Sequence, residues 1–321
     1  MRQKCLLIIN PISGTTAKKG VAAKCIRRLG KEGIDVEVLY TEGPGDASRF
    51  AAEAARKGYL GVIAAGGDGT VNEIASSLRG TATALGIIPL GSGNGLARHL
   101  GLSIDVHEAL DVIARRHILA CDSCEADGHP FFCTFGLGFD AAVSEKFARS
   151  RQRGLINYLR SAFEEYLKFQ PEEYEIVADG HSFKLKAFIV AACNASQYGN
   201  NVFIAPGASI RDGLLDITII HAGTPLTRAR AGVELVTGLI KNNMIIQTLQ
   251  AKKATIRRSS SGSAHIDGEP IRLGKEIEVS CHHGDLLIFT TGYKKPFRPL
   301  ITPFKYLNRE IRLRLKALFN V

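Results

Sequence analysis

The sequence predicts an α/β chain of two domains, a parallel sheet covered by helices and then a mainly antiparallel β half. Strand-like and helix-like runs alternate from Lys4 to about Ala120, the pattern of a parallel sheet with helices on both faces. From about Ala120 the strand-like runs come closer together and are joined by short polar turns, as in antiparallel β structure. The length, 321 residues, suits two domains, predicted at 1–120 and 121–293, with a tail over 294–321 returning to the first.

The elements follow in chain order. KCLLIIN (Lys4–Asn10) is an apolar, β-branched run that reads as a buried strand, broken by PISG. AKKGVAAKCIRRLGKEG has helical spacing and ends in Gly33. DVEVLYT alternates as a second strand, GPGD turns with Asp46 as a cap, and ASRFAAEAARKG is helical to Gly58. YLGVIAA and TVNEIASSLRG form a third strand and helix, TALGIIP and NGLARHLG a fourth pair. The second half reads as strands at FFCTFGLG, YEIVADG, FKLKAFIVAACN, GLLDITIIHA, AKKATIRRS, SAHIDG, EIEVSCH and DLLIFTTG. Two helices interrupt them, at RGLINYLRSAFEEYLKF and TRARAGVELVTGLI.

Composition narrows the function classes. Hydrophobic residues make up 45% and charged residues 22%, a soluble globular profile. No secretory core and no membrane-spanning apolar run is visible, so a cytoplasmic protein is expected. Seven scattered cysteines fit reduced, buried thiols, and CDSC (Cys121–Cys124) needs CHH (Cys281–His283) folded beside it to make a zinc site. The net charge of +10 attracts anionic lipid, anionic substrates or nucleic acid. Only 7% of residues are aromatic and no base-stacking motif is present, which weighs against nucleic acid.

The loop GGDGT (Gly66–Thr70) leaves a strand and opens a helix. Glycines let the backbone approach a phosphate, and the helix N-terminus offers free N–H groups. A carboxylate at Asp68 repels a bare phosphate but fits a divalent cation between the two, because Mg²⁺ takes carboxylate and phosphate oxygens together. The bland alternative is a tight turn with Asp68 capping the helix. Three more small-residue loops end strands on the same side: NPISG (Asn10–Gly14), Thr41 before EGPGD, and PLGSGN (Pro89–Asn94). Hydroxyls at Ser13, Thr41, Thr70 and Ser92 can donate to phosphate oxygens. In IDGEP, Asp267 and Glu269 can accept a hydroxyl proton, although Asp-Gly is also a strong hairpin-turn signal.

GGDGTVNE unbroken, with NPISG before it and PLGSGNGLAR after it, resembles the diacylglycerol kinase catalytic-domain family, which includes bacterial lipid kinases and the diacylglycerol, sphingosine and ceramide kinases. The likeness continues through GLGFDA, SIRDGLLD and IDGEP and so covers nearly the whole chain. It implies ATP-dependent phosphorylation of a lipid hydroxyl, an α/β nucleotide domain like that of NAD kinase and diacylglycerol kinase, and a β-sandwich domain. Carried over by position, ATP contacts would come from Asn10, Pro11, Ile12, Ser13, Gly14, Thr41, Gly66, Gly67, Asp68, Gly69, Thr70, Val71, Asn72 and Ser92. Asp68 would hold the catalytic Mg²⁺ through the phosphates. Glu269 would be the base, with Asp267 sharing the role or steering the metal. A second, structural Mg²⁺ would map to Ser209, Asp212 and Leu214, partly through backbone oxygens. GNGLAR departs from the GNDFAR of many bacterial members at Gly95 and Leu96, which bears on the choice of lipid: diacylglycerol, a sphingoid base or another long-chain alcohol. FGLGFDAAVSEKF and RGLINYLRSAFEEYLKF are the expected walls of the lipid site, and a homodimer is compatible with the resemblance.

The tail reads as a helix after Pro303, with Phe304, Leu307, Ile311, Leu315 and Leu318 in an apolar stripe and Lys305, Arg309, Arg312 and Lys316 on other faces. The stripe is expected to pack on the first domain, leaving basic residues for the inner face of an anionic membrane. A soluble NAD kinase shares GGDGT but has its Asn-Glu pair in a separate motif. A phosphofructokinase-type reading leaves the other matches unexplained, and a non-catalytic sensor leaves the acids at Asp68, Asp212, Asp267 and Glu269 without a role.

Overall fold

The computed structural model describes residues 3–12, 20–149, 162–240, 243–292 and 297–319. Its contacts divide the chain into two compact units, Met1–Cys121 with Gly284–Pro296 and Lys305–Val321, and Asp122–His283 with Phe297–Phe304. Two of the crossings between the units fall inside strands, in β5 (Ile118–Ala126) and in β15 (Glu276–Phe289).

The first unit is an α/β layer structure. Its strands β1 (Gln3–Ile9), β2 (Ile34–Tyr40), β3 (Gly61–Gly66) and β4 (Ala84–Pro89) pair in parallel in the order β4-β3-β1-β2. The end of β15 adds in parallel beside β4, with Ile288 opposite Leu85. β3 and β4 are buried along their whole length, as expected of apolar strands covered on both faces. Helices α1 (Val21–Gly30), α2 (Asp46–Arg56), α3 (Asp68–Leu78), α4 (Gly95–His99) and α5 (Val106–Ala114) follow the strands. Leu7, Ile9, Leu29, Ile63, Ile88, Leu110 and Phe289 meet in the core.

The second unit is antiparallel: β14 (Glu269–Leu273), β13 (Gly262–Ile266), β7 (Thr134–Gly138), β9 (His181–Cys193), β8 (Glu172–Ala178), β12 (Lys253–Arg258) and β15, in that order. β10 (Leu215–His221) pairs with β9 and β11 (Ile246–Ala251), and β6 (His129–Phe131) with β5. β9 shows how sequence sets burial. Its first half alternates (HSFKLK) and is half exposed beside β8; its second half (AFIVAAC) lies between β7 and β10 with both faces covered. The runs EIEVSCH and DLLIFTTG, read as two strands, are one strand, β15.

Several elements depart from the sequence reading. Phe139–Arg149, to which the sequence reading gave no secondary structure, is helix α6, whose inward positions are Asp140, Ala141, Val143 and Ser144 rather than large apolar residues. β5 and β11 were not expected because CDSC and IQTLQA carry no apolar run. Helix α7 spans Pro225–Thr237, with the Thr224 hydroxyl accepting from Thr227 N and Gly238 at its end. Of the other expected helix, residues 153–161 lie outside the described residues and 162–166 are helical.

Helix α8 (Ile301–Phe319) forms in the tail, but its expected docking face is corrected. Phe304, Leu307 and Ile311 are 64%, 48% and 48% exposed. The face turned to the first unit carries Tyr306, Arg309 and Leu313, which with Arg98, Leu102 and Ile104 line a small cavity, and Arg309 pairs with Glu108 at 2.6 Å. The side chains of Leu315, Lys316 and Leu318 lie outside the described residues. No helix among the described residues is long and apolar enough to cross a membrane.

Candidate active site

In the first unit, chain direction along the sheet reverses between β1 and β3. In open parallel sheets ligands bind beyond the strand ends at such a point. The loops there are knitted together. Asn10 N donates to Ala65 O at 3.2 Å, and its side-chain amide donates to the Thr70 hydroxyl at 3.1 Å. Asn10 Oδ1 also accepts from Ile12 N, closing the turn after β1. Thr41 N donates to Ile9 O and joins the end of β2. Glu73 binds the next loop from α3: its carboxylate accepts from Gly45 N, and its carbonyl accepts from the Ser48 hydroxyl. The Asp46 carboxylate closes the turn before α2 by accepting from Glu42 N and Gly43 N. Those bonds, with Arg49, hold it below the usual carboxylate range.

Asp68 joins the GGDGT loop to the loop after β4. One carboxylate oxygen accepts from Asn94 N at 2.8 Å and the other from Gly95 N at 2.7 Å. Asp68 therefore caps α4 across two loops. The glycines serve this junction as well as any ligand. A Cβ on Gly91 would sit 2.5 Å from Gly67 Cα, so the two loops touch backbone to backbone. Asn94 completes the junction with φ of 53°, its side chain bonded to Gly91 N and O. Leu96 is 3% exposed, so GNGLAR supplies packing at this position.

Of the other expected nucleotide contacts, Ile12 and Ser92 are exposed, Gly67, Gly69 and Asn72 half-buried, and Gly66, Thr70, Val71 and Thr41 buried. Pro11 is exposed on the turn after β1. Ser13 and Gly14 lie outside the described residues.

In the second unit, IDGEP is a hairpin turn between β13 and β14, with φ of 49° at Asp267 and 88° at Gly268. The turn leaves its two acids in different situations. Asp267 reaches back to the start of β7, accepting from Phe132 N, Cys133 N and Thr134 N at 3.0, 2.8 and 2.9 Å. Glu269 is exposed at the start of β14.

Behind the hairpin lies a buried group that sequence reading missed. Asp140 Oδ2 accepts from the Tyr198 hydroxyl at 2.6 Å and lies 3.1 Å from His265 Nε2. His265 Nδ1 faces Gly268 N at 3.4 Å. The only sequence signals were Asp140 inside GLGFDA and His265 two residues before Asp267.

The residues expected to hold a second cation occupy one loop. Ser209 Oγ accepts from Arg211 N, Asp212 Oδ1 accepts from Leu214 N, and Gly213 N donates to Asp122. Just beyond, Asp216 has one buried carboxylate oxygen with no partner among the described residues. Burial, then the neighbouring Asp212, pushes its pKa up to about 6. An unsatisfied carboxylate oxygen beside a second carboxylate is a donor set of the kind Mg²⁺ takes. No group of three or more His, Cys, Asp or Glu side chains able to hold a metal occurs among the described residues, so a cation here needs backbone oxygens as well. Pairing of β5 with β15 brings CHH to CDSC, where His283 pairs with Asp122 at 2.8 Å and Cys124 shares a hydrogen bond with Cys281.

Comparison with known proteins bears directly on these loops and this hairpin. Residues 4–126 match the diacylglycerol kinase catalytic domain, and residues 134–283 match the YegS C-terminal NAD kinase beta sandwich-like domain. The chain is 30% identical over 282 residues to the "Probable lipid kinase YegS-like" of Pectobacterium atrosepticum, covering 85% of this chain and 92% of that protein. It is 26% identical over 272 residues to the diacylglycerol kinase of Bacillus subtilis, covering 83% and 90%. A crystal structure of a diacylglycerol kinase from Bacillus anthracis shares the fold with a TM-score of 0.73 at 23% identity, over 90% of this chain and 97% of that one. An NAD kinase from Archaeoglobus fulgidus crystallised with ATP shares it more distantly, with a TM-score of 0.52 at 11% identity over 97% and 99%. Glycine loops tied by Asp68, an Asp-Gly hairpin and matches to both halves agree: the chain belongs to the diacylglycerol kinase catalytic-domain family of lipid kinases.

Proposed function

We propose that this enzyme transfers the γ-phosphate of ATP to a hydroxyl of a membrane lipid, with Mg²⁺ as cofactor. The observation that carries the reading is the division of labour on the IDGEP hairpin. Asp267 is held by three backbone N–H groups, and Glu269 stands exposed beside it. An alcohol is a poor nucleophile at neutral pH, and a carboxylate that accepts its proton as the bond to phosphorus forms lowers the barrier. Glu269 takes that role, and Asp267 fixes the turn that presents it. In the first unit, the N-terminus of the eleven-residue helix α3 and the backbone of Gly66–Thr70 bind phosphate oxygens, and the bonds among the loops hold them in place before substrate arrives. Asp68 would hold the catalytic Mg²⁺, and Ser209, Asp212 and Leu214 a structural one. When bound, Mg²⁺ neutralises charge on the phosphates. Family membership supports the lipid acceptor. The outward stripe of α8, with Lys305 and Arg312 exposed on the same helix, supports docking on an anionic bilayer, at about 1 kcal/mol for each basic residue near the surface.

The test is purified protein with labelled ATP, with and without Mg²⁺, and a panel of diacylglycerol, phosphatidylglycerol, sphingosine, ceramide and NAD. Label in a lipid, lost in Asp68→Ala and Glu269→Ala variants that remain folded, is the expected result. Transfer to NAD alone would sink the lipid reading. Full activity of the Glu269 variant would remove the proposed base.

A further inference from the structure

Arg228, in the first turn of α7, is a charged group with no ion pair among the described residues. Its guanidinium carbon lies 4.9 Å from the ring centre of Phe188 and 5.6 Å from that of Tyr166. These rings belong to one aromatic group. Phe139 stacks on Phe188 at 4.5 Å, and Tyr166 and Phe169 meet Phe139 edge-on at 6.3 and 6.0 Å. The flat face of the guanidinium is therefore covered by π surface. Its edge is not satisfied: Nε and Nη1 are buried and meet no acceptor among the described residues. Glu234, on the same helix, accepts from Arg230 and Asn243, and Glu164 and Glu165 lie against Lys146.

Buried N–H groups without acceptors are unfavourable, and more so on a charged group. A methionine would cover the same rings without that penalty, so packing alone does not account for an arginine here. The position supplies a reason. Phe139 is followed by Asp140, which meets His265 in the strand leading to Asp267 and Glu269. Phe139, which stacks on Phe188, thus precedes on α6 the Asp140 whose partner His265 faces Gly268 of the proposed catalytic hairpin, all within one unit.

We infer that Arg228 and this aromatic group form the acceptor subsite for the oxygen-bearing region of a diacyl lipid, and that they select such lipids over cationic long-chain bases. The inference rests on the lipid-kinase reading above and names the acceptor class that reading leaves open. Ester carbonyls or a phosphodiester supply the acceptors that the guanidinium edge lacks, in the forked geometry that arginine favours. The rings pack against the first carbons of the chains. A protonated amine in the same place meets a like charge.

The experiment compares the wild type with Arg228→Met and Arg228→Lys, using dihexanoylglycerol, short-chain phosphatidylglycerol and sphingosine as acceptors. Arg228→Met should raise KM for the diacyl acceptors roughly tenfold or more, the loss expected of a charge-assisted hydrogen bond. KM for ATP should not move, Arg228→Lys should fall between, and sphingosine should be used no worse than by the wild type. The variant's Tm should equal or exceed that of the wild type, because two buried nitrogens without acceptors have gone. An effect confined to dihexanoylglycerol assigns the ester carbonyls, and one confined to phosphatidylglycerol assigns the phosphodiester. Unchanged KM for both, or activity and Tm falling together, overturns the subsite and makes Arg228 a packing residue. Calorimetric binding of dihexanoylglycerol separates this from the kinase reading. A wild type that phosphorylates no lipid breaks the kinase reading, whereas equal binding by wild type and Arg228→Met breaks the subsite.

Discussion

Asp68 and Asp267 look alike in the sequence, each an acid in a glycine turn. Both accept hydrogen bonds from the backbone of a different loop, Asp68 from Asn94 and Gly95, and Asp267 from Phe132, Cys133 and Thr134. A carboxylate has enough lone pairs to brace a loop and still meet a ligand, so residue type alone does not separate these roles. Stability measurements do. Asp267→Ala strands up to three backbone N–H groups and should lower unfolding free energy by about 2–4 kcal/mol, read as a lower urea midpoint. Glu269→Gln should leave that midpoint unchanged and lower kcat by about a hundredfold or more. An Asp267→Ala protein as stable as the wild type would remove the bracing role. That Asp267 and Glu269 sit on a hairpin was legible from Asp-Gly; the partners of Asp267, more than a hundred residues away in sequence, were not.

At the scale of elements, legibility follows how each element buries its surface. β1, β3 and β4 are continuous apolar runs because both faces are covered, and the sequence marks them plainly. The Asp-Gly pairs at 127–128, 179–180 and 267–268 all turn with positive φ at both residues, as that dipeptide prefers. α6 was hidden because its inward face is built from Asp140, Ala141, Val143 and Ser144, which leave no apolar periodicity to read. α8 was visible as a helix, but its apolar stripe was assigned to the wrong side. Amphipathic pattern gives a helix's faces and not which of them a neighbour covers. The outward stripe makes a prediction for this element. Ending the chain at Pro303 should weaken binding to vesicles containing anionic lipid and leave turnover on a water-soluble short-chain acceptor within about twofold, since the membrane contribution is one of surface attraction. Vesicle binding that survives the truncation would assign α8 to docking on the first unit alone.

Across the whole molecule, all seven cysteines are buried, spread over both units. Burial pushes Cys5 and Cys25 up to about 12. Folding therefore holds these thiols protonated while the unfolded chain ionises them from about pH 9. The unfolded state then binds fewer protons than the native state, so the contribution of these thiols to stability should be constant below about pH 9 and fall as pH rises toward 12. Urea titrations across that window check the sign, and maleimide labelling at pH 8 should proceed no faster than unfolding. Labelling that is fast and insensitive to urea would show that the thiols are reached without unfolding.

By itself the sequence determined the two-part α/β and β architecture, the glycine loops at the strand ends and the family, because these depend on local periodicity and on short contiguous motifs. Tertiary structure alone decided which acid braces and which stands free, which face of α8 turns outward, and that two buried nitrogens of the half-buried Arg228 lie beside aromatic rings with no acceptor among the described residues. Each of those depends on groups brought together from distant parts of the chain, where hydrogen-bond satisfaction and burial leave no mark on residue order.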